Sequence, residues 1–218
     1  VDAHLRAVVR EIVERYPVDG IHLDRVRYPS ADTSFDATSV ARFRSIEANP
    51  LRLNRADWQR DQITRTLETI KAETRAHRPG VVLTAATYAV YDASRLRETR
   101  GFTSAFHQFS EDSHGWLESG AIDGLMPKLF FDRVGPAEER LFGNLASDFQ
   151  AHRAGLRVVP GIGGAYLGDW EKLAASWHRS IEMSNGAALL SLGAVRNHDG
   201  RFAELFAPEG PTVGPGRR

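Results

Sequence analysis

Five short apolar segments, at 20–24, 81–86, 122–131, 156–162 and 187–192, alternate with amphipathic helical patterns along the chain. That alternation restricts the fold to successive βα units around a parallel sheet. The helical patterns read from the sequence cover 2–16, 57–77, 113–119, 136–153 and 169–184. In the first, Leu5, Val8, Val9, Ile12 and Val13 recur at i, i+3, i+4, i+7 and i+8. In the second, Ile63, Leu67 and Ile70 form the apolar face, and Asp57 reads as its N-cap. Asp112 reads as the cap of the third, which ends at Gly120, and Asp169 as the cap of the fifth. Trp116 and Trp177, on helix faces, are assigned to packing.

The connections are unequal. Those leaving the strands are long, at 25–56, 87–112, 132–136 and 163–169, and those entering them are two or three residues at most. In α/β folds the carboxyl ends of the strands carry the site, so this asymmetry predicts an α/β fold of the (β/α)8 TIM-barrel type. A doubly wound sheet is the alternative. It would be expected to show a glycine-rich phosphate turn, and Gly161-x-Gly163-Gly164 lacks the GxGxxG spacing.

Composition narrows the chemistry. The 218 residues contain no cysteine, which excludes disulfide frameworks, thiol catalysis and cysteine-ligated metals. Lys+Arg and Asp+Glu are both 28, so the basic excess of a nucleic-acid binder is absent and no nucleic-acid partner is expected. No stretch has the apolar length of a transmembrane segment. The eight histidines form no local metal motif, and neither metal nor cofactor is expected. Val1 falls inside a helical pattern without a cap or leader, which reads as a processed or excised chain with an upstream part missing. Residues 1–206 read as one barrel-like unit and 207–218 as a Pro/Gly-rich tail.

The densest chemistry lies in Asp19-Gly20-Ile21-His22-Leu23-Asp24-Arg25-Val26-Arg27-Tyr28-Pro29. A strand alternates faces, so His22 and Asp24 point one way and Ile21 and Leu23 the other. Asp24 falls at the strand end beside Arg25 and Arg27, where its carboxylate stays ionised. It reads either as a nucleophile or stabiliser of an oxocarbenium-like transition state, or as an arginine's partner that closes the loop. The second carboxyl that glycosidase chemistry requires is assigned first to Asp132, then to Asp92, with Glu111 in a loop on the same side. Arg60 and Gln62, in the first turn of a helix, read either as substrate contacts or as local partners. Tyr88 is among the aromatic residues near strand ends on which a sugar can stack.

The segment Val18 to Pro29 resembles the VDGIHxDxxRYP signature of the glycosyl-hydrolase-like family 10. The likeness continues through Trp58-Gln59-Arg60-Asp61-Gln62-Ile63, the approach from Ile70-Lys71 to Arg78-Pro79, and the run from Asp112 to Asp123 around Trp116-Leu117. It extends to Met126-Pro127, to Val159-Pro160-Gly161-Ile162-Gly163 and to Trp170. The resemblance implies a barrel acting on polysaccharide, with some relatives acting on peptidoglycan glycan strands. It implies that the chain holds about strands four to eight, and that the protein is a glycoside hydrolase of the cell envelope or exterior. Asp24 would be the catalytic carboxylate, paired with Asp132. His22, Arg27, Tyr28, Arg60, Gln62, Tyr88 and Lys128 would bind substrate. The chain departs from the family pattern at Arg25 and through Met126-Pro127-Lys128-Leu129-Phe130-Phe131, where relatives carry an amide and Tyr-Trp. Lys128 then reads either as a contact to an anionic sugar or as a salt bridge to Asp24 or Asp132. These departures favour the rival function, a non-catalytic glycan-binding barrel that has lost its general acid.

Overall fold

The first helix, α1 (Asp2–Arg15), buries Val9 and Val13 against α3 (Arg55–His77), whose Leu67 and Ile70 are buried in turn. The computed structural model describes residues 2–131, 136–164, 169–184, 186–191, 193, 196 and 201–206. The 207–218 tail lies outside the described residues. Between the two helices runs β1 (Gly20–Leu23). Arg78, which ends α3, donates to the carbonyls of Val13, Tyr16 and Val18 and so ties the entry to β1.

The remaining strands are β2 (Val82–Thr87), β3 (Gly124–Pro127), β4 (Arg157–Val158), β5 (Gly161–Gly163) and β6 (Ala188–Leu190). All pairings are parallel, with Gly20 opposite Val82, Thr84 opposite Gly124, Gly124 opposite Arg157 and Gly161 opposite Ala188. Lys128 bridges to Gly161 at the same offset of 33 positions that relates Gly124 to Arg157. β4 and β5 are therefore one strand, interrupted where Pro160 has no N–H to offer. This matches the single segment expected at 156–162. The segment expected at 122–131 is shorter as a strand. After Lys128 the Leu129 and Phe130 N–H groups turn back onto the Pro127 and Lys128 carbonyls, and the ladder stops.

The strands lie in sequence order, so no topological switch divides the sheet. Right-handed crossovers then place the helices on one face. The packing agrees: Ile21, Leu83, Ala85, Leu125 and Val158 share one core with Val9, Leu67, Ile70, Trp116, Leu117 and Phe149. The helices concerned are α1, α3, α5 (Ser113–Ser119) and α6 (Pro136–Ala151). The opposite face is open, with Val82 44% exposed and His22 exposed. One covered face and one open face make a singly wound parallel α/β sheet rather than a doubly wound one.

Local signals explain most element bounds. α5 begins at Asp112, whose carboxylate accepts from the Gly115 N–H, and ends at Gly120, whose φ of 70° requires the left-handed region. α3 starts two residues earlier than expected. Asn54, not Asp57, is its N-cap, accepting from the Asp57 N–H at 3.0 Å and donating to the Asp57 carboxylate at 2.6 Å. The segment from 29 to 56 is not all loop. It contains α2 (Ala37–Arg44), capped by Asp36, with no buried residue and hence no apolar stripe to announce it. A further short helix, α4 (Ala105–Gln108), follows β2. α7 (Trp170–Ser184) packs Leu173 and Trp177 with Ile162 of β5 into a third core, with Asp169 accepting from the Glu171 and Lys172 N–H groups at its start.

Candidate active site

Polar side chains gather at the carboxyl ends of β1, β2 and β3. Alternation along β1 puts His22 on the open face, in register with Thr84, and its Nδ1 lies 2.9 Å from the Thr84 hydroxyl. Burial lowers the proton affinity of His22; Asp24 opposes this and Lys128 adds to it. Asp24 follows the last residue of β1. Its Oδ1 accepts the Arg25 N–H at 2.7 Å and is ion-paired to Lys128, which follows β3. Burial works against the Asp24 charge, but Lys128 and the Arg25 N–H outweigh it and hold the carboxyl below its ordinary value. Of the two readings of Lys128, the salt bridge to Asp24 is the one the structure contains.

A second carboxyl stands apart in character. Glu111 is 1% exposed, and its Oε1 accepts the Tyr88 N–H at 2.6 Å. Burial pushes its proton affinity up to about 7 against the Tyr88 N–H, Arg27 and Lys128, while the Asp24 charge adds to the rise. The segment around it is clamped on both sides. The Tyr28 N–H donates to the Phe109 carbonyl at 2.9 Å, and the Glu111 N–H to the Ala105 carbonyl at 3.1 Å. The Arg27 guanidinium lies 4.3 Å from the Phe109 ring centre and 5.8 Å from that of Tyr88. Arg25 and Ser110, the residues flanking the two carboxyls, have φ of 56° and 52°. Left-handed backbone at non-glycine residues costs about 1–2 kcal/mol each and persists where the surroundings over-determine it.

Beside this group lies a hollow of about 400 Å³ lined by Tyr88, Phe102, Lys128, Phe130 and Phe131. Its ring faces and single ammonium suit a partly polar, partly CH-faced ligand. A larger hollow, about 1090 Å³, runs between α1, α2 and α3 and meets the 24–28 turn from the helix side.

The structure brings together His22, Asp24, Arg27, Tyr88 and Lys128, with Tyr28 against the same loop. It does not bring Arg60 there. Arg60 pairs with Asp57, donates to the Phe106 carbonyl at 3.0 Å and stacks on the Phe106 ring at 3.9 Å. Gln62 accepts from Arg42 at 2.9 Å on the helix flank. Both residues have local partners in the structure, and Gln62 also lines the larger hollow together with Arg27 and Tyr28. Asp92 accepts from the Ser94 N–H and hydroxyl, and these bonds hold it ionised against burial. Asp132 lies outside the described residues. Glu111, third among the candidate carboxyls from sequence, is the described one of the three whose surroundings hold a proton. No local pattern marks it, since its burial comes from the 27–28 and 88–109 segments. Away from this site, His114, Asp148 and His152 form a separate cluster of metal-capable side chains.

Sheet and site together define an α/β protein with a parallel sheet whose polar groups, including an unlike pair of carboxyls, sit at the carboxyl ends of its strands. Residues 1–159 match the family model described as Glycosyl hydrolase-like 10, and the chain belongs to that family. Among curated proteins it is similar to "Glycosyl hydrolase DigH" of Escherichia coli (strain K12), 25% identical over 134 residues, covering 58% of this chain and 29% of that protein. It is likewise similar to "Glycosyl hydrolase YngK" of Bacillus subtilis (strain 168), 22% identical over 127 residues, covering 56% and 25% respectively. The chain thus spans less than a third of the length of the curated relatives it matches.

Proposed function

We propose that this chain forms part of a glycoside hydrolase acting on a polysaccharide, with Asp24 as the ionised nucleophile or base and Glu111 as the protonated acid. The observation that carries the reading is the contrast between the two carboxyls. One is held charged by Lys128 and a backbone N–H, and the other is held protonated to about neutral pH by burial. Glycosidic cleavage needs such a pair, one carboxylate facing the developing oxocarbenium charge and one carboxylic acid protonating the leaving oxygen. Arg27 and Tyr88 position Glu111, His22 positions Asp24's side of the groove, and the aromatic hollow by Lys128 accepts a sugar ring.

The five βα units correspond, in this reading, to strands four to eight of a (β/α)8 barrel. The open face bearing His22 and Val82, and the edge of β1, which pairs only with β2 among the described residues, support it. Peptidoglycan glycan strands are the first substrate to test, and an extracellular or envelope location goes with them.

A second reading, a glycan-binding barrel without catalysis, is favoured by the Lys128 ammonium engaging Asp24 and by the depth of Glu111. The test is sugar release from denuded peptidoglycan, chitin and plant polysaccharides by the protein at its natural length, beside Asp24→Asn and Glu111→Gln. Release abolished by both substitutions supports the hydrolase. Release unchanged by both removes the carboxyl pair from the mechanism, and glycan binding without release selects the second reading.

A further inference from the structure

The open face of the sheet carries a hydrogen-bonded pair beside Asp24. Alternation along β1 puts His22 and Asp24 on one side, and the parallel register sets Thr84 of β2 next to His22. Two contacts converge on the Thr84 hydroxyl. His22 Nδ1 lies 2.9 Å from it, and the Ile21 carbonyl, which can only accept, lies 3.4 Å away. Burial, with Lys128, outweighs Asp24 and keeps the His22 ring neutral at neutral pH. A neutral imidazole has one N–H and one lone pair, and a hydroxyl has one proton to give. Both contacts are then hydrogen bonds in a single arrangement. The Nδ1–H donates to Thr84, and Thr84 donates to the Ile21 carbonyl. With Thr84 donating to Nδ1 instead, the carbonyl bond is forfeited. The lone pair of His22 therefore sits on Nε2.

Nε2 has no hydrogen-bond partner among the described residues, and His22 is exposed. It is an acceptor open to a donor from solution. Its surroundings narrow what that donor is. Asp24, two residues along the same face, is held ionised and can only accept. The Lys128 ammonium is committed to Asp24. An anionic substituent laid against β1 would meet a lone pair and a carboxylate, whereas a hydroxyl or an amide N–H would meet an acceptor.

We propose that Thr84 is a positioning residue that locks His22 in the Nδ1–H tautomer, so that Nε2 accepts a hydrogen bond from a neutral hydroxyl or amide N–H of the bound sugar. This role rests on the carbohydrate reading of the site and adds a selection rule to it. Ring substituents that face β1 and β2 donate, and acidic ones are turned away. Without the Thr84 hydroxyl nothing on β2 fixes the proton to Nδ1, and the ring divides between two tautomers, one of which turns a second donor toward the sugar.

The test is long-range proton–nitrogen NMR at neutral pH on the natural-length protein labelled with ¹⁵N-histidine, in which protonated and bare ring nitrogens resonate far apart. His22 should show Nδ1 protonated and Nε2 bare. Thr84→Val should turn this into a mixture, and Thr84→Ser should restore it. Chitotetraose, which offers acetamido N–H groups as well as hydroxyls, cellotetraose, which offers hydroxyls alone, and denuded glycan strands are then added in turn. A glycan that binds should shift the Nε2 resonance. His22→Phe should bind it about 2–10-fold more weakly, the worth of one neutral hydrogen bond, with Thr84→Val between that variant and the parent. A parent with Nε2 protonated, or a tautomer that Thr84→Val leaves unaltered, overturns the positioning role. A glycan that binds without moving Nε2 overturns the acceptor role. If that glycan is nonetheless cleaved, and Asp24→Asn and Glu111→Gln abolish cleavage, the hydrolase reading survives the failure. If Nε2 moves and nothing is cleaved, the acceptor role holds and the hydrolase reading falls. Absence of binding by all of these glycans removes both.

Discussion

Replacing Glu111 by glutamine tests the link between burial and proton affinity directly. The amide keeps the size of the side chain and an oxygen to accept the Tyr88 N–H, and it removes the ionisable proton. In the folded protein Glu111 titrates at about 7, against 4.5 for an ordinary glutamate. Between those values the unfolded chain has lost the proton and the folded chain keeps it. Stability associated with this group is therefore fully present below pH 4.5 and is lost as the pH rises to about 7. At about 1.4 kcal/mol per pH unit, the loss reaches about 3 kcal/mol. Chemical denaturation of parent and Glu111→Gln from pH 4 to 8.5 measures it, because the other titrating groups cancel in the difference. The variant should gain on the parent across the window from 4.5 to 7 by about 3 kcal/mol and run parallel outside it. If the protein hydrolyses glycan, the alkaline limb of the parent's rate profile should fall in the same range. Parallel stability curves throughout would refute the claim that Glu111 is held protonated, and with it the assignment of the acid.

Lys128→Met removes the ammonium that holds Asp24 ionised, so the Asp24 carboxyl should titrate at higher pH than in the parent; a carboxyl ¹³C NMR titration reads the change, and an unmoved resonance would sink the ion pair. Phe149→Ala opens the main core, where Phe149 is fully buried, and should cost about 3–5 kcal/mol in urea unfolding. A loss under about 0.5 kcal/mol would place Phe149 with surface positions. Gly120→Ala meets no atom within 4 Å, so its cost is conformational alone, about 1–2 kcal/mol from the φ of 70°, and an unchanged midpoint would contradict the left-handed cap.

The alternation of strand and helix, the capped α5 and the faces of β1 are properties of neighbouring residues. Residues 112–120 carry both a capping carboxylate and a terminating glycine, so their helix is found where the residues predict it. α2 has a cap but buries nothing, and without an apolar stripe it reads as loop. Asp57 and Asn54 are both capping types three positions apart, and only the backbone shows which of them stands outside the helix. The local-partner roles of Arg60 and Gln62 depend on Phe106 and Arg42, whose proximity requires α2, α3 and α4 to be packed.

By itself the sequence determined the order of the strands and of the main helices, and the inward and outward faces of the first strand. Both follow from periodicity. Only the tertiary structure decided that the sheet is wound one way with an open face, that Lys128 crosses β2 to reach Asp24, and that Glu111 keeps its proton. It alone brought His114 to Asp148 and His152. These outcomes depend on desolvation and on contacts between segments tens of residues apart, and no local pattern encodes the dielectric around a side chain or the neighbour that arrives from another strand.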